Sequence, residues 1–578
     1  MRAMSKISIL PDLLINKIAA GEVIERPASV VRELLDNSID AGAAQIDIEV
    51  LHAGKKLIKV SDNGMGMDKD DAVLCFERHA TSKIRTEDEL FDISTLGFRG
   101  EALPAIASIA KVTLTTSTPD AETGTKVEIG ANRKKEVTDA PPANGTTVEI
   151  RDIFYNTPAR RKFLKTIPTE LSHIIGTVVQ KAFAYPEISF SLIHNNNEVL
   201  NVPAASDLKE RFIQLYGEEM AGEFLDVKKE SKAIKVTGFT SSVDFTRAGR
   251  SHQFIFINKR PVKNPTVNHA VYNAYRDLIS KERHPAYFLF LEIDPQKVDV
   301  NVHPAKREVK FERPDDIHRF AGAAVYEALN PGCEIDVSRP SALPGPGFQR
   351  TEVNRYASRD NPVVGESASP IFDKSQTDFF TSGLAPEIAS FFYIGKSFIA
   401  SVTGDGLVII DQHAAHERIL YEKFLKKTSI ETESLFLPMR VELPVREYNI
   451  IAGHKDFLRG FGLDIEEFGG NNLIVRALPK ELKKADIKGL LLDMAAGILE
   501  EGTSGIRSDI TEDTLLKKVA ARLACHKSVR GSEQLNNEEL SKMMSDLDSA
   551  DEPGKCPHGR PTRIFFSLDD LNKMFKRK

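Results

Sequence analysis

What most limits how this 578-residue chain can fold is a stretch with little means of folding by itself. Residues 333 to 386, including SRPSALPGPGFQRTEVNRYASRDNPVVGESASP, are rich in Pro, Gly, Ser and charge and have no apolar periodicity. Such a segment buries too little apolar surface to offset its ordering entropy, so it reads as a flexible linker between separately folded regions. On its N-terminal side, helical patterns alternate with β-rich runs such as AQIDIEV, KLIKVSD, KVTLTTS and TTVEI, a mixed pattern long enough for two domains. On its C-terminal side, FFYIGKSFIASVTGDGLVIID gives two β-rich runs around Thr403 to Gly406, and HAAHERILYEKFLKK then reads as a helix. Residues 482 to 545 carry amphipathic helical patterns, and TRIFFSL returns to a β-like run before a basic helical tail. The expected class is a multidomain α/β protein of the α+β kind.

No run of about 18 apolar residues occurs, and Asp12, Asn16 and Lys17 interrupt the N-terminal apolar stretches, unlike the core of a signal peptide. These features predict a cytoplasmic protein with no membrane partner. Four cysteines, Cys75, Cys333, Cys525 and Cys556, make no disulfide framework in so long a chain, which leaves them metal binding or packing. A net charge of −6 gives no global attraction to nucleic acid, so DNA binding requires a local basic surface.

The chain has no G-x-x-x-x-G-K-[ST] sequence, so an ATP site must rest on another constellation. SVVRELLDNSIDAGA reads as a helix in which Glu33 and Asn37, four residues apart, share one face. A carboxylate there can orient and deprotonate a water, and an amide oxygen suits Mg²⁺, a hard cation. Alone, such a pair is an ordinary solvated helix face. It is joined by VSDNGMGMD, where a β-run ends in Asp62, a hydrogen-bond acceptor suited to an adenine amino group, and Gly64 and Gly66 allow close backbone approach. In TLGFRGEALPAIASI, Gly97 and Gly100 precede a helix whose N–H groups suit phosphate oxygens.

In order, ELLDN, DNGMG, GFRGEAL and NGTTVEI resemble the four motifs of the GHKL ATPase superfamily. IAAGEVIERPASVVRELLDNSIDAGA, RHATSKI and LGFRGEAL resemble, nearly letter for letter, the MutL family of DNA mismatch-repair ATPases, over essentially the first 330 residues. The resemblance implies a GHKL (Bergerat) ATPase sandwich over 1–215, a second, ribosomal-S5-like α/β transducer domain over 216–332, the disordered linker over 333–386, and a C-terminal α/β dimerisation and endonuclease domain over 387–578. It also implies ATP and Mg²⁺ as cofactors, Glu33 as general base, Asn37 as Mg²⁺ ligand and Asp62 as adenine contact. Gly97, Phe98, Arg99, Gly100, Glu101, Ala102 and Leu103 then form the lid and phosphate-binding segment, and Thr81, Ser82 and Lys83 lie beside the nucleotide. Thr146 or Thr147 faces the base, and Lys306 of DVNVHPAKREVKF reaches the γ-phosphate.

FYNTPARRKFLK clusters Arg160, Arg161, Lys162 and Lys165 near Phe154, Tyr155 and Phe163, a combination suited to phosphates, although a solvated charge run has the same composition. No base-reading motif is visible, so DNA contact should be largely independent of sequence.

In VIIDQHAAHERILYEKF, Asp411 and His413 stand at a predicted strand-to-helix junction and Glu417 lies four residues after His413 on the same face; spacing does not separate His416 and Glu422 from solvent-facing residues. LACHKS adds Cys525, beside His526, and KCPHGRP adds Cys556 and His558. Thiolate, imidazole and carboxylate together suit zinc or manganese. These segments resemble the nicking members of the MutL family. The pattern D-Q-H-A-x-x-E-x-x-x-x-E is met by Asp411, Gln412, His413, Ala414, Glu417 and Glu422, and the shorter patterns by Ala524-Cys525, by Cys556 to Pro561 and by Phe575-Lys576-Arg577. The resemblance implies a metal cluster of His413, Glu417, Cys525, Cys556 and His558, Asp411 and Glu417 in catalysis with Glu422 assisting, Zn²⁺ and/or Mn²⁺, and phosphodiester hydrolysis. In one departure, the family's clamp-binding segment begins with glutamine, whereas SLFLP here begins with Ser434; in the linker, Gln376, Phe379 and Phe380 of QTDFF resemble a clamp-binding peptide.

Two readings follow. One is an ATP-driven homodimer that nicks DNA, with a MutS-type mismatch sensor and the replication sliding clamp as partners. The other is a non-nicking matchmaker whose Cys/His/Glu cluster is structural zinc. A topoisomerase or sensor kinase would need a cleavage-tyrosine domain or a phosphoacceptor helix, and neither is found.

Overall fold

A computed structural model describes residues 24–83, 95–97, 100–130, 134–279, 283–299, 309–333, 335, 391–395, 397–426, 430–483, 485–503, 512–528 and 535–577. Helix α1 (Pro27–Asp40) opens with a proline, whose fixed φ and missing N–H suit the first turn. Val30, Val31, Leu34 and Leu35 bury one face of α1, and Glu33 and Asn37 stay partly accessible on another. Strands β1 (Gln45–Leu51), β2 (Leu57–Asp62), β3 (Lys111–Ser117), β4 (Gly124–Ile129), β5 (Lys135–Ala140), β6 (Gly145–Arg151), β7 (Ser189–His194) and β8 (Asn197–Val202) form one sheet in the order β5-β4-β3-β6-β2-β1-β7-β8. All its pairs are antiparallel except β1 with β7.

Period-two alternation sets the buried face: Ile46, Ile48 and Val50 of β1 point to the core while Asp47 and Glu49 are less buried. Helices α2 (Ala102–Ile109) and α3 (Ile167–Ala184) complete the layer, α3 packing on α1 and on β7. This layered ATPase-type sandwich matches the expected fold class. Because β2 ends at Asp62 directly opposite Thr146 of β6, the sheet's register delivers both residues to the end of α1.

A second sheet runs β13-β12-β15-β10-β9, from β9 (Phe224–Glu230), β10 (Ile234–Ser241), β12 (Gln253–Ile257), β13 (Arg260–Val262) and β15 (Tyr287–Ile293). Helices α4 (Pro265–Ala274) and α5 (Pro314–Leu329) pack together against it, and small pairs join β11 (Thr246–Arg247) to β14 (His284–Pro285) and β16 (Val298–Asp299) to β17 (Lys310–Phe311). Phe183 of α3 stacks on Phe288 of β15 with centroids 5.0 Å apart, tying the two sheets through one aromatic cluster.

In the C-terminal part, the run expected to hold two strands holds three. Gly395, with φ of +66°, turns the chain between β18 (Phe391–Ile394) and β19 (Phe398–Thr403), a left-handed position that favours glycine; β20 (Gly406–Asp411) follows. With β24 (Arg563–Ser567) they make a sheet in the order β18-β19-β20-β24. Its inner face packs on α6 (Gln412–Lys426) and, near the C-terminus, α10 (Asn537–Asp548). Its outer face carries Phe392, Ile394, Phe398 and Val402, each about half exposed. A second core joins β21 (Thr432–Glu442), β22 (Asp464–Glu467) and β23 (Asn472–Pro479) to α7 (Val445–Gly453), α8 (Ile487–Thr503) and α9 (Glu512–Ser528). The last helix, α11 (Leu568–Met574), is closed by a capping box at Ser567 and Asp570.

Candidate nucleotide and metal sites

At the end of α1, Asp62 sits in a preformed polar net. Its Oδ2 accepts from Ser38 Oγ at 2.7 Å, and its Oδ1 accepts the N–H groups of Gly64 at 3.0 Å and Thr146 at 3.3 Å. As cross-strand partners, Thr146 and Asp62 share a face, whereas Thr147 points to the other face and donates to Ser61 Oγ at 3.0 Å. Thr116 hydrogen-bonds Thr146 Oγ1 at 3.0 Å and accepts the Met67 N–H at 3.0 Å, bracing the loop that contains Gly64 and Gly66. A Cβ on Gly66, which has φ of +65°, would lie 2.0 Å from Ser117 O, and one on Gly64 would lie 2.8 Å from Ala41 O. The backbone therefore closes on itself here in a way that side chains would prevent.

Glu33 and Asn37 do share a face. Glu33 Oε1 accepts from Arg32 Nη2 at 3.0 Å. Asn37 Oδ1 accepts from Lys83 Nζ at 3.0 Å, and the same ammonium meets Asp40 Oδ2 at 2.6 Å. Asp40 also accepts the N–H groups of Leu96 at 2.9 Å and Gly97 at 3.0 Å, so one carboxylate ties α1 to the glycine segment. Thr81 Oγ1 accepts the Lys83 N–H, and Ser82 lies in the same bend. Gly100, with φ of +59°, lies against Ala80 O, and Glu101 pairs with His79 at 3.7 Å just before Ala102 and Leu103 open α2. Phe98, Arg99 and Lys306 lie outside the described residues. A carboxylate, an amide oxygen and a glycine-lined loop at one helix end form a donor set that fits Mg²⁺ with a nucleotide.

Sequence reasoning missed Ser38, Asp40 and Thr116. The first two stand in the SIDAG segment after ELLDN, but their partners are 24 and 57 residues away. Of the basic cluster, Arg161, Lys162 and Phe163 are exposed at the short helix Pro158–Lys162, while Arg160 and Lys165 are half-buried and Phe154 is fully buried.

In the C-terminal part, Asp411 ends β20 and its Oδ1 accepts the N–H groups of His413 at 3.0 Å and Ala414 at 3.1 Å, so it caps α6. That cap fixes where α6 begins and thereby stacks His413 over Glu417, Nε2 to Oε1 at 3.3 Å. From the other side, Cys556-Pro557-His558-Gly559 folds into a tight turn, the Gly559 N–H on Cys556 O at 2.9 Å with Gly559 at φ of +86°. Donor atoms of Glu417, Cys556 and His558 all lie within 4.8 Å of one another. Glu417 is 0% exposed and also accepts from Arg560 Nη2 at 3.0 Å. Cys525 is outside this trio, but close enough for the Glu417 charge to act on its thiol.

The protonation of the trio follows from its packing. Burial pushes the Glu417 carboxyl up, but hydrogen bonds from His413 and His558, with the charges of His413 and Arg560, outweigh it and hold the group well below the usual carboxylate range. Hydrogen bonding to Cys556 first, then to Glu417, raises His558 to about 9. For Cys556, burial raises the thiol while the His558 hydrogen bond and backbone N–H groups lower it further. Burial and then Glu417 push the Cys525 thiol up to about 12. A cysteine whose thiol is lowered, a carboxylate and a histidine thus converge, and the donor set fits zinc or manganese.

Glu422 does not join them. Its Oε1 accepts the Asp551 N–H at 3.1 Å and approaches Arg418 at 3.5 Å, because a step of five residues turns it to a different side of α6 from Glu417. The SLFLP segment falls at the irregularity of β21 between Ser434 and Met439, leaving Phe436 and Leu437 strongly exposed. Gln376, Phe379 and Phe380 are outside the described residues, as is the side chain of His526.

Residues 24–153 match the family described as histidine kinase-, DNA gyrase B- and HSP90-like ATPase, which places the N-terminal part among the GHKL ATPases. Residues 212–330 match the C-terminal domain of DNA mismatch repair protein, and 392–535 the MutL C terminal dimerisation domain. The chain belongs to the MutL family of DNA mismatch repair proteins. It is 40% identical to the MutL of Thermodesulfovibrio yellowstonii, over 99% of this chain and 100% of that one, and 38% identical to that of Syntrophotalea carbinolica, over 99% of each. Among solved structures, the N-terminal domain of a DNA repair protein is 28% identical with a TM-score of 0.48, covering 55% of this chain and 98% of that one. The Aquifex aeolicus MutL ATPase domain complexed with ADP is 25% identical with a TM-score of 0.37, covering 52% and 98%.

Proposed function

We propose that this chain works as a homodimer that hydrolyses ATP at the end of α1 and nicks DNA at the Glu417–Cys556–His558 site during mismatch repair. The observation that carries the nicking activity is the convergence of these three donors, from segments about 140 residues apart in sequence, within 4.8 Å. In the ATP site, Glu33 acts as base toward water, Asn37 supplies the Mg²⁺ oxygen and Asp62, held by Ser38, accepts from the adenine. Register favours Thr146 over Thr147 beside the base.

At the second site, His413, Glu417, Cys556 and His558 hold zinc or manganese, with Cys525 nearby. Bound there, the ion supplies Lewis acidity toward a phosphodiester. Arg560 orients the Glu417 carboxylate, and the Asp411 cap sets the rotation of α6. Exposed Arg161 and Lys162 offer DNA-phosphate contacts. The uncovered apolar face of the β18-β19-β20-β24 sheet supplies a two-fold seam, since such a face is expected to be buried by a second copy. Partners of this reading are a MutS-type mismatch sensor and a sliding clamp, the latter reached through Phe436 and Leu437 or through Gln376, Phe379 and Phe380 of the linker.

The complete burial of Glu417 favours a second reading, a structural zinc in a non-nicking matchmaker. Incision of supercoiled plasmid with Mn²⁺ separates the two. Nicking by the parent, lost in Asp411→Asn and Glu417→Ala variants of unchanged circular dichroism, supports the nuclease. Equal nicking by all three proteins, or none by any, supports the matchmaker.

A further inference from the structure

Away from both sites, two histidines of the second domain face each other across its helix pair. Val267, Ala270, Val271 and Ala274 of α4 are buried, as are Ile317, Phe320, Ala321 and Ala324 of α5. The alanines let the two helices pack closely. His269, next to Ala270, and His318, next to Ile317, are thereby carried to the edge of the buried stripe. There His318 is half-buried and His269 is exposed.

The ring centroids are 5.1 Å apart, and His269 Nδ1 lies 2.9 Å from His318 Nε2. Asn273, one turn after His269, aims its amide at the same spot, its Nδ2 position being 3.4 Å from each of these nitrogens. Rotating the amide by half a turn puts its oxygen in that place, and only the neighbours decide which atom stands there. Three donors thus form a triangle with sides of 2.9, 3.4 and 3.4 Å. Ligands bonded to one zinc ion sit about 2.9–3.4 Å from one another at ordinary metal–nitrogen and metal–oxygen distances, so this is the spacing of one face of a coordination shell. Asp315, in the first turn of α5 and one turn before His318, brings a carboxylate whose charge acts on that ring.

A shared proton accounts for the two rings but not for the amide. One ring N–H can donate to the other's lone pair, and with that proton in place neither facing nitrogen has a lone pair left for the Asn273 N–H, for which 3.4 Å is in any case a poor hydrogen bond. Burial, then the neighbouring His269, holds His318 below its ordinary value, so the ring keeps a lone pair at neutral pH. We propose that His269, His318 and Asn273 form a second metal site, for a late first-row divalent cation of the zinc class, with Asp315 supplying negative charge at its rim. Imidazole nitrogen suits such an ion better than it suits Mg²⁺. Bound there, the ion cross-braces α4 to α5, the last helix of the second domain. The site shares no residue with the Glu417–Cys556–His558 cluster and stands whichever reading of that cluster holds.

Diethyl pyrocarbonate labelling of the full chain, read peptide by peptide by mass spectrometry, tests the site, because an imidazole whose lone pair is bound to a metal resists acylation. A few equivalents of Zn²⁺ per chain should lower the labelling of His269 and of His318 together by about fivefold, while the same amount of Mg²⁺ leaves both unchanged. In His318→Gln the protection of His269 should be lost, and in His269→Gln that of His318. No protection by Zn²⁺, protection of one ring only, equal protection by Mg²⁺, or protection that survives in either variant overturns the site. Both side chains reach the surface, so the variants should fold. Should either fail to fold, the contrast between Zn²⁺ and Mg²⁺ at the two rings of the parent decides the question.

Discussion

Glu33 meets its neighbour Arg32 before it meets any substrate. Replacing Glu33 with Ala removes the proposed base and leaves the Asp62 net untouched, so ATP turnover should fall by about 10²–10⁴-fold with nucleotide affinity retained, as steady-state hydrolysis and equilibrium binding would show. Gly66→Ala acts differently. The new methyl would collide with Ser117 O from a backbone at positive φ, and a loss of about 2–3 kcal/mol in stability is expected by denaturant titration, together with weakened nucleotide binding. At this scale much of the site was legible. Glu33, Asn37, Asp62, Glu417, Cys556 and His558 stand in motifs, whereas the roles of Asp40 and Thr116 depend on partners that only the folded sheet brings near.

Elements place these residues, and Asp411 shows how one side chain can serve both placement and chemistry. Asp411→Asn keeps an acceptor for the His413 and Ala414 N–H groups, so its melting should match the parent; Asp411→Ala loses the cap and about 1 kcal/mol. A thermal melt of both variants checks this, and makes Asp411→Asn the cleaner probe of chemistry. The strand-to-helix junction was legible because a β-run, an acidic cap and a helical period follow in order. The hairpin of β18 and β19 was not, because Gly395 falls inside a nearly continuous apolar run and only its positive φ marks the turn. Glu422 was ambiguous for a related reason: spacing along α6 gives a direction but not what lies there.

For the whole molecule, two consequences are measurable. If the uncovered sheet face is the seam between copies, Val402→Glu should leave a folded monomer in sedimentation velocity where the parent is a dimer. The second domain also meets the C-terminal part, where His252 approaches Glu447 at 3.5 Å and Arg283 pairs with Asp493 at 3.2 Å, and this contact should depend on pH. Burial, then Arg247 and Arg446, depress His252 from 6.5 to about 3, and burial with Arg250, Arg522 and Arg283 depresses His284 to about 4. Both rings stay neutral when packed, so an opened or unfolded chain takes up more protons below pH 6.5, and their contribution is lost progressively as pH falls towards 4 and 3. Glu447 opposes this, because burial raises its carboxyl and the packed form binds that proton first. Two rings against one carboxyl predict a melting temperature that drops between pH 7 and 5, less in His252→Gln and more in Glu447→Gln. None of this contact was legible in sequence, since it depends on shape and charge meeting across segments 210 to 245 residues apart.

Lys83 bridges Asn37 and Asp40, so a cation already stands on the amide oxygen proposed for Mg²⁺. On the proposed reading, loading Mg²⁺ with nucleotide would be an exchange of cations rather than an addition, because the ammonium would have to leave the Asn37 amide oxygen before a divalent ion could use it. The pocket should therefore ignore Mg²⁺ offered alone and accept it once phosphates arrive to draw Lys83 away. In Lys83→Met that order should be lost, with the bare metal binding first.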